Sequence, residues 1–151
     1  MPKIILIFIT ALVLFGCSQK NVHDKQTSIN EIKKADKEMS ALAEQEGFST
    51  ALLKNADENF VKLSEGIHPV IGKSAFEELT NGKPGPKTLT WEAVFTDVAE
   101  SGDLGYSWGN WKFVLPDTVF YGNYFTVWKK YNDGTWKMTL DGGNGTPKPN
   151  D

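Results

Sequence analysis

The chain has 151 residues, a formal net charge of −3, sixteen Lys, no Arg, one Cys and two His. Its length suits one domain with a real core. A single thiol excludes an internal disulfide or a thiolate metal cage. A mildly acidic chain without guanidinium forks lacks the groups that read guanine edges and clamp phosphates, so nucleic acid is not an expected partner.

Lys3 precedes a run from Ile4 to Phe15 that is apolar except for Thr10. As a helix this run would span about 18 Å, short of a bilayer core of about 30 Å. It therefore reads as the apolar region of a signal peptide. The run ends in Leu14-Phe15-Gly16-Cys17, which resembles the bacterial lipobox, with Phe15 standing where a small residue is usual. The resemblance implies cleavage before Cys17, lipid on its sulfur and acylation of the new amino terminus. Several acyl chains anchor stably where one chain does not. Ser18 is not Asp, which by similarity to enterobacterial sorting rules points to the outer membrane. The expected location is the bacterial cell envelope, on the outer membrane facing the periplasm. The alternative is an ordinary secretory signal with an incidental Cys. On this reading residues 1–16 are the signal peptide, 17–27 a flexible tether, 28–143 the domain and 144–151 a loose tail without apolar pattern.

Ser28 with Glu31 has the form of a capping box. Ile29, Ile32, Ala35, Met39, Leu42 and Ala43 then recur at helical spacing, and Gly47 is a plausible stop. Phe48 to Asn55 predicts a second helix, Asn59 to Leu63 a short strand, and Ser74 to Leu79 a third helix ahead of the Gly82–Pro86 loop. From Thr88 the period changes to two. Strands are predicted over Thr88–Ala99, Leu104–Val114, Phe120–Tyr131 and Thr135–Asp141, joined through Ser101-Gly102-Asp103, a connection beginning at Pro116-Asp117, and Asn132-Asp133-Gly134. Leu89, Trp91, Ala93 and Phe95 share one side of the first. In the second, Leu104, Tyr106 and Trp108 oppose Trp111 and Phe113.

Helices followed by an antiparallel meander make an α+β plan. Thirteen of the eighteen aromatic residues lie between Thr88 and Leu140, on both faces of the central strands. Helices on one face would leave the other apolar, so a partner is expected there, most simply a second copy of the chain. The alternative is that the 115–122 connection covers that face.

The segments Pro69–Phe76, Leu89-Thr90-Trp91-Glu92, Ser101–Tyr106, Tyr124–Lys130 and Asp133–Lys137 running to Asp141 resemble one family. It is the SnoaL-like, nuclear transport factor 2-like superfamily, in its uncharacterised branch known as domain of unknown function 4440. The resemblance implies a cystatin-like cone, with N-terminal helices packed on a curved antiparallel sheet around an apolar pocket, and pairing through the outer sheet face. It also implies where known chemistries would sit. The steroid isomerase set falls near Ser40, Leu63 and Thr126, and none of these is a general base poised near neutrality. The epoxide hydrolase set needs an Arg. The dehydratase set needs two His, and His68 alone lies in the domain. The three catalytic sets are therefore not matched.

Among candidate site residues, Asp141 ends the last strand at a Gly-rich exit. It is either a pocket carboxylate acting as a base or a brace for the strand end. Tyr106, Trp108, Tyr124, Thr126 and Trp128 share side-chain parity within their strands, and form either the wall of a ligand pocket or plain core. Trp91 and Trp136 read as core. His68 reads as a turn residue and Asp103 as the brace of its turn. Glu92 and Asp97 fall on opposite parities. No residues show metal-ligand spacing or a phosphate-binding Gly loop, so neither metal nor cofactor is expected. The expected function is binding of a small apolar or aromatic molecule in the cone, or a dimeric interaction module. The alternative is a metal-independent SnoaL-like isomerase, cyclase or hydrolase. A cavity with Asp141 in it would favour the enzyme.

Overall fold

The computed structural model describes residues 24–149. The expected signal peptide and the lipidation site at Cys17 lie outside these residues. Helix α1 (Lys25–Glu46) is capped by Asp24, whose carboxylate accepts from the Gln26 N–H at 3.3 Å and the Thr27 hydroxyl at 3.0 Å. The cap is thus one turn earlier than Ser28, and residues 25–27 are helix rather than tether. Asp caps as well as Ser, and the earlier start adds a turn without moving the apolar stripe. Ser28 is buried and donates to the Gly102 carbonyl at 3.3 Å.

Gly47 ends α1 at φ 100°. A Cβ there would lie 2.3 Å from the Pro84 carbonyl oxygen. That close approach lets the 82–86 loop cap helix α2 (Phe48–Asn55), which has no side-chain cap. Pro84 O accepts from the N–H groups of Ser49 and Thr50, and Pro86 O from that of Phe48.

Strand β1 (Ala56–Lys62) begins earlier than its alternation suggests, directly after α2. It pairs with β2 (Val70–Ile71), a two-residue strand with no periodic signal. After helix α3 (Lys73–Thr80) come β3 (Leu89–Val98), β4 (Leu104–Leu115), β5 (Thr118–Lys130) and β6 (Trp136–Thr146). The spatial order is β2-β1-β6-β5-β4-β3. Because β1 runs parallel to β6, the sheet is mixed rather than wholly antiparallel. Strand β6 continues past the expected domain end at 143, since long β5 supplies partners as far as Tyr121, opposite Thr146. Ladder bonds use backbone groups, so a Gly-rich stretch without apolar pattern still pairs.

Helices α1 and α2 pack on one face of this curved sheet, and the core between them includes Ile32, Met39, Leu52, Phe60, Trp128 and Met138. Two local features set which side chains face inward. In β3, Ala93 pairs with Gly109 but Phe95 pairs with Trp108, so a bulge intervenes. Trp91, Thr96 and Val98 face inward while Phe95 turns outward, against the shared parity expected from the sequence. Gly109 permits the bulge, because a Cβ there would lie 2.0 Å from the Glu92 carbonyl oxygen. At the other end of β4, Pro116-Asp117 forms a tight turn, with Leu115 opposite Thr118. The 115–122 stretch thus lengthens the sheet and does not cover its outer face. Among the described residues, no helix is long and apolar enough to cross a membrane.

Candidate functional site

A cavity of about 310 Å³ opens between the helices and the concave sheet face. Met39 and Leu52 form its helical side; Phe48, Trp91, Trp111, Phe113 and Tyr124 bring aromatic rings to its walls. Lys62, Thr126 and Asp141 lie together in it, and Gly142 to Gly145 line it along β6. Its size is at the small end of ligand pockets, and its walls are predominantly apolar.

Tyr124, Thr126 and Asp141 of the expected site are therefore brought together. Trp128 is fully buried outside the lining, its indole N–H donating to the Ser107 hydroxyl at 3.0 Å. Tyr106 and Trp108 are corrected: they lie on the outer sheet face, 42% and 40% exposed. The ladder gives the reason. Ser107 sits opposite Thr126 and Gly109 opposite Tyr124, so these β4 residues share the inward side with them. Tyr106 and Trp108 sit opposite Val127 and Phe125 and share the outward side. Parity within each strand was readable, but the match between strands depends on register. Trp91, expected in the core, forms part of the cavity wall. Trp136 is half-buried and donates to Glu31 at 2.8 Å.

Behind the wall lies a residue the sequence reading missed. Asp36 of α1 is 1% exposed. Its carboxylate accepts from the Trp91 indole at 2.9 Å, the Tyr124 phenol at 3.0 Å and the Ser107 hydroxyl. Burial pushes the Asp36 carboxyl above its usual range, while the three donors pull it back. Burial, then the Asp36 charge, raises the Tyr124 phenol far above its ordinary value, so this phenol is a donor and not a base. The signal for Asp36 was present: it lies four residues after Ile32 and three before Met39, on the buried stripe. A carboxylate on such a stripe requires partners.

Asp141 is held from two sides. The Lys62 ammonium is ion-paired to it, and the Thr126 hydroxyl donates to it at 2.9 Å. Lys62 also stands 5.6 Å from the centre of the Phe48 ring. The pairing follows from the parallel β1–β6 ladder, in which Lys62 is directly opposite Asp141. No local signal in the sequence announces a contact between residues 79 positions apart.

The remaining candidates are placed away from the cavity. His68 is exposed in the turn before β2. Asp103 accepts from the Ser101 hydroxyl at 2.5 Å and braces its turn. Asp97 pairs with Lys25 at 3.1 Å. Of the three positions near which the resemblance would put the steroid isomerase set, Leu63 and Thr126 line the cavity, and Ser40 bonds both the N–H and the carbonyl of Trp91. Among the described residues, no group of three or more His, Cys, Asp or Glu could hold a metal.

No family model and no curated protein matches the chain. Solved structures do match. One is a nuclear transport factor 2-like protein with a cystatin-like fold from Novosphingobium aromaticivorans, at TM-score 0.60 and 15% identity over 78% of this chain and 81% of that one. A second is a ketosteroid isomerase-like protein from Erwinia carotovora atroseptica, at 0.58 and 16% over 76% and 96%. A third is an epoxide hydrolase/cyclase-like enzyme of pyran ring formation in the polyether salinomycin, at 0.55 and 16% over 82% and 93%. At these identities the likeness shows the fold: the domain is a nuclear transport factor 2-like, cystatin-like α+β cone.

Proposed function

We propose that this cone binds a small apolar or aromatic molecule without transforming it, and that the domain is carried on the bacterial envelope by lipid on Cys17. One observation carries the binding reading. The cavity remains open although five aromatic rings line it, and the polar tips of Trp91 and Tyr124 are committed to Asp36 behind the wall. The Trp111 indole is likewise committed to the Asn123 carbonyl at 3.1 Å. The rings thus offer apolar faces to a guest.

A second copy is proposed on the outer face, where Phe95, Leu104, Tyr106 and Trp108 are each 40–46% exposed. An exposed aromatic patch of this kind suits an isologous contact. Native mass spectrometry of the protein from its own host tests both parts together. The expected result is a dimer mass with a reproducible bound small molecule. A bare monomer over repeated preparations would overturn both. The anchor is tested by Cys17→Ala, which should lower the mass by the lipid and release the protein from membranes.

The rival reading is a SnoaL-like enzyme working by metal-independent acid–base chemistry. The position of Asp141 in the cavity beside Tyr124 and Thr126 meets the condition that favours it, but the carboxylate there is ion-paired to Lys62 and accepts from Thr126, an arrangement that suits holding a guest more than taking its proton. In that reading Asp141 takes a proton from the substrate after Lys62 swings away. Turnover of a bound compound that Asp141→Asn abolishes, with binding retained, would establish it over simple binding.

A further inference from the structure

The cavity's charged groups bear on the chemistry of the guest, given the binding reading above. With the indole and phenol tips committed elsewhere, and with Glu65 and Asn144 exposed and Ser64 half-buried, recognition of a polar head deep in the cavity falls to Lys62 and Asp141. Each keeps part of its side chain exposed, 14% for Lys62 and 10% for Asp141, and both line the cavity. An ammonium has three N–H donors, so Lys62 can hold Asp141 and still donate elsewhere. A carboxylate has about four lone-pair sites, and Lys62 and Thr126 occupy two of those on Asp141.

We propose that the Lys62–Asp141 pair selects an uncharged ligand head that donates and accepts hydrogen bonds together, an alcohol above all, on a body of one or two rings. A hydroxyl oxygen accepts from Lys62 while its proton goes to Asp141, closing a ring of hydrogen bonds without breaking the ion pair. An ether accepts but returns nothing to Asp141. A carboxylate meets one ammonium but two carboxylates, because Glu65 also lines the cavity. An ammonium head is attracted by Asp141 and Glu65 but only donates, so it cannot accept from Lys62 and reaches Asp141 only by displacing Lys62 from the ion pair. The size of the cavity limits the body, and its aromatic walls favour rings over long chains.

Five probes of one shape separate these heads: 2-naphthylmethanol, its methyl ether, 2-methylnaphthalene, 2-naphthoate and 2-naphthylmethylammonium. Equilibrium dialysis of each against the full chain gives the order of affinity. The alcohol should bind about tenfold tighter than the ether or the hydrocarbon, the scale of one satisfied hydrogen bond. It should also outrank both ions. The double variant Lys62→Met with Asp141→Leu removes both charges without stranding either, and should erase the preference for the alcohol. Equal binding of alcohol and ether by the wild-type chain, or tightest binding of either ion, overturns the head-group assignment and leaves the binding reading standing. Failure of all five to bind overturns both. The wild-type series decides the matter even if the double variant does not fold.

Discussion

Replacing Asp36 with Ala removes the shared acceptor of three buried donors. The Ser107 hydroxyl can rotate toward another acceptor, but the Trp91 indole and Tyr124 phenol are fixed by their rings. Each stranded buried donor costs about 1–3 kcal/mol, and removing a buried carboxyl returns part of that. The expected net loss is about 3 kcal/mol, a large share of a typical domain stability. With a urea slope of about 1.5 kcal/mol per molar, the unfolding midpoint should fall by about 2 M. Asp36→Asn preserves the shape and one carbonyl acceptor, and should cost about 1–2 kcal/mol. The charge gives an independent check. The folded pKa of Asp36 is raised above the ordinary 3.8, so the folded state holds this proton more tightly than the unfolded chain. The stabilisation that Asp36 contributes through this proton is complete below the ordinary value and lost as pH rises through the folded value. The stability gap between wild type and Asp36→Asn should therefore shift in favour of the variant over that window. Urea unfolding at a series of pH values measures both effects. An Asp36→Ala loss below about 1 kcal/mol, or a gap independent of pH across the window, would refute the reasoning.

Gly109→Ala should destabilise by more than about 3 kcal/mol or prevent folding, because its Cβ would meet backbone on the bulged strand and backbone cannot rotate away; thermal unfolding reports this. Gly145→Leu has the opposite character. Its Cβ site has the Glu65 carboxylate at 4.0 Å as its nearest neighbour, so the side chain should fill the cavity mouth, with a stability change within about 1 kcal/mol and at least about tenfold weaker binding of 2-naphthylmethanol in dialysis. Asp97 is held below the ordinary carboxyl range by the Val98 N–H and by Lys25. Its stabilisation is present above the ordinary value and lost as pH falls toward the folded one. Asp97→Asn should therefore flatten the acid side of the stability profile and leave the variant closest to wild type at the lowest pH. Trp108→Lys should shift the sedimentation of the protein from dimer to monomer while leaving its near-ultraviolet spectrum folded.

Periodicity is a local property, and it settled much of the fold from sequence alone. The stripe of Ile32, Met39 and Ala43 marked α1, Phe48–Asn55 marked α2, and the change to period two at Thr88 marked the meander with its turns. Quoted segments from Pro69 to Asp141 resembled the family whose fold the structure has. What the residues do was decided elsewhere. Tyr106 and Trp108 left the candidate pocket because inter-strand register, not parity within a strand, sets the face. Phe95 parted from Trp91 because one bulge residue reverses a period of two. Lys62 joined Asp141 through a parallel ladder between β1 and β6, which no turn signal encodes. Asp36 was visible as a carboxylate on an apolar stripe, yet its three donors come from β3, β4 and β5. Sequence specifies which side chains leave the backbone on the same side of one element, because that depends on local geometry. Which elements then face each other depends on long-range pairing, and the cavity with its charge pair exists only once that pairing is made.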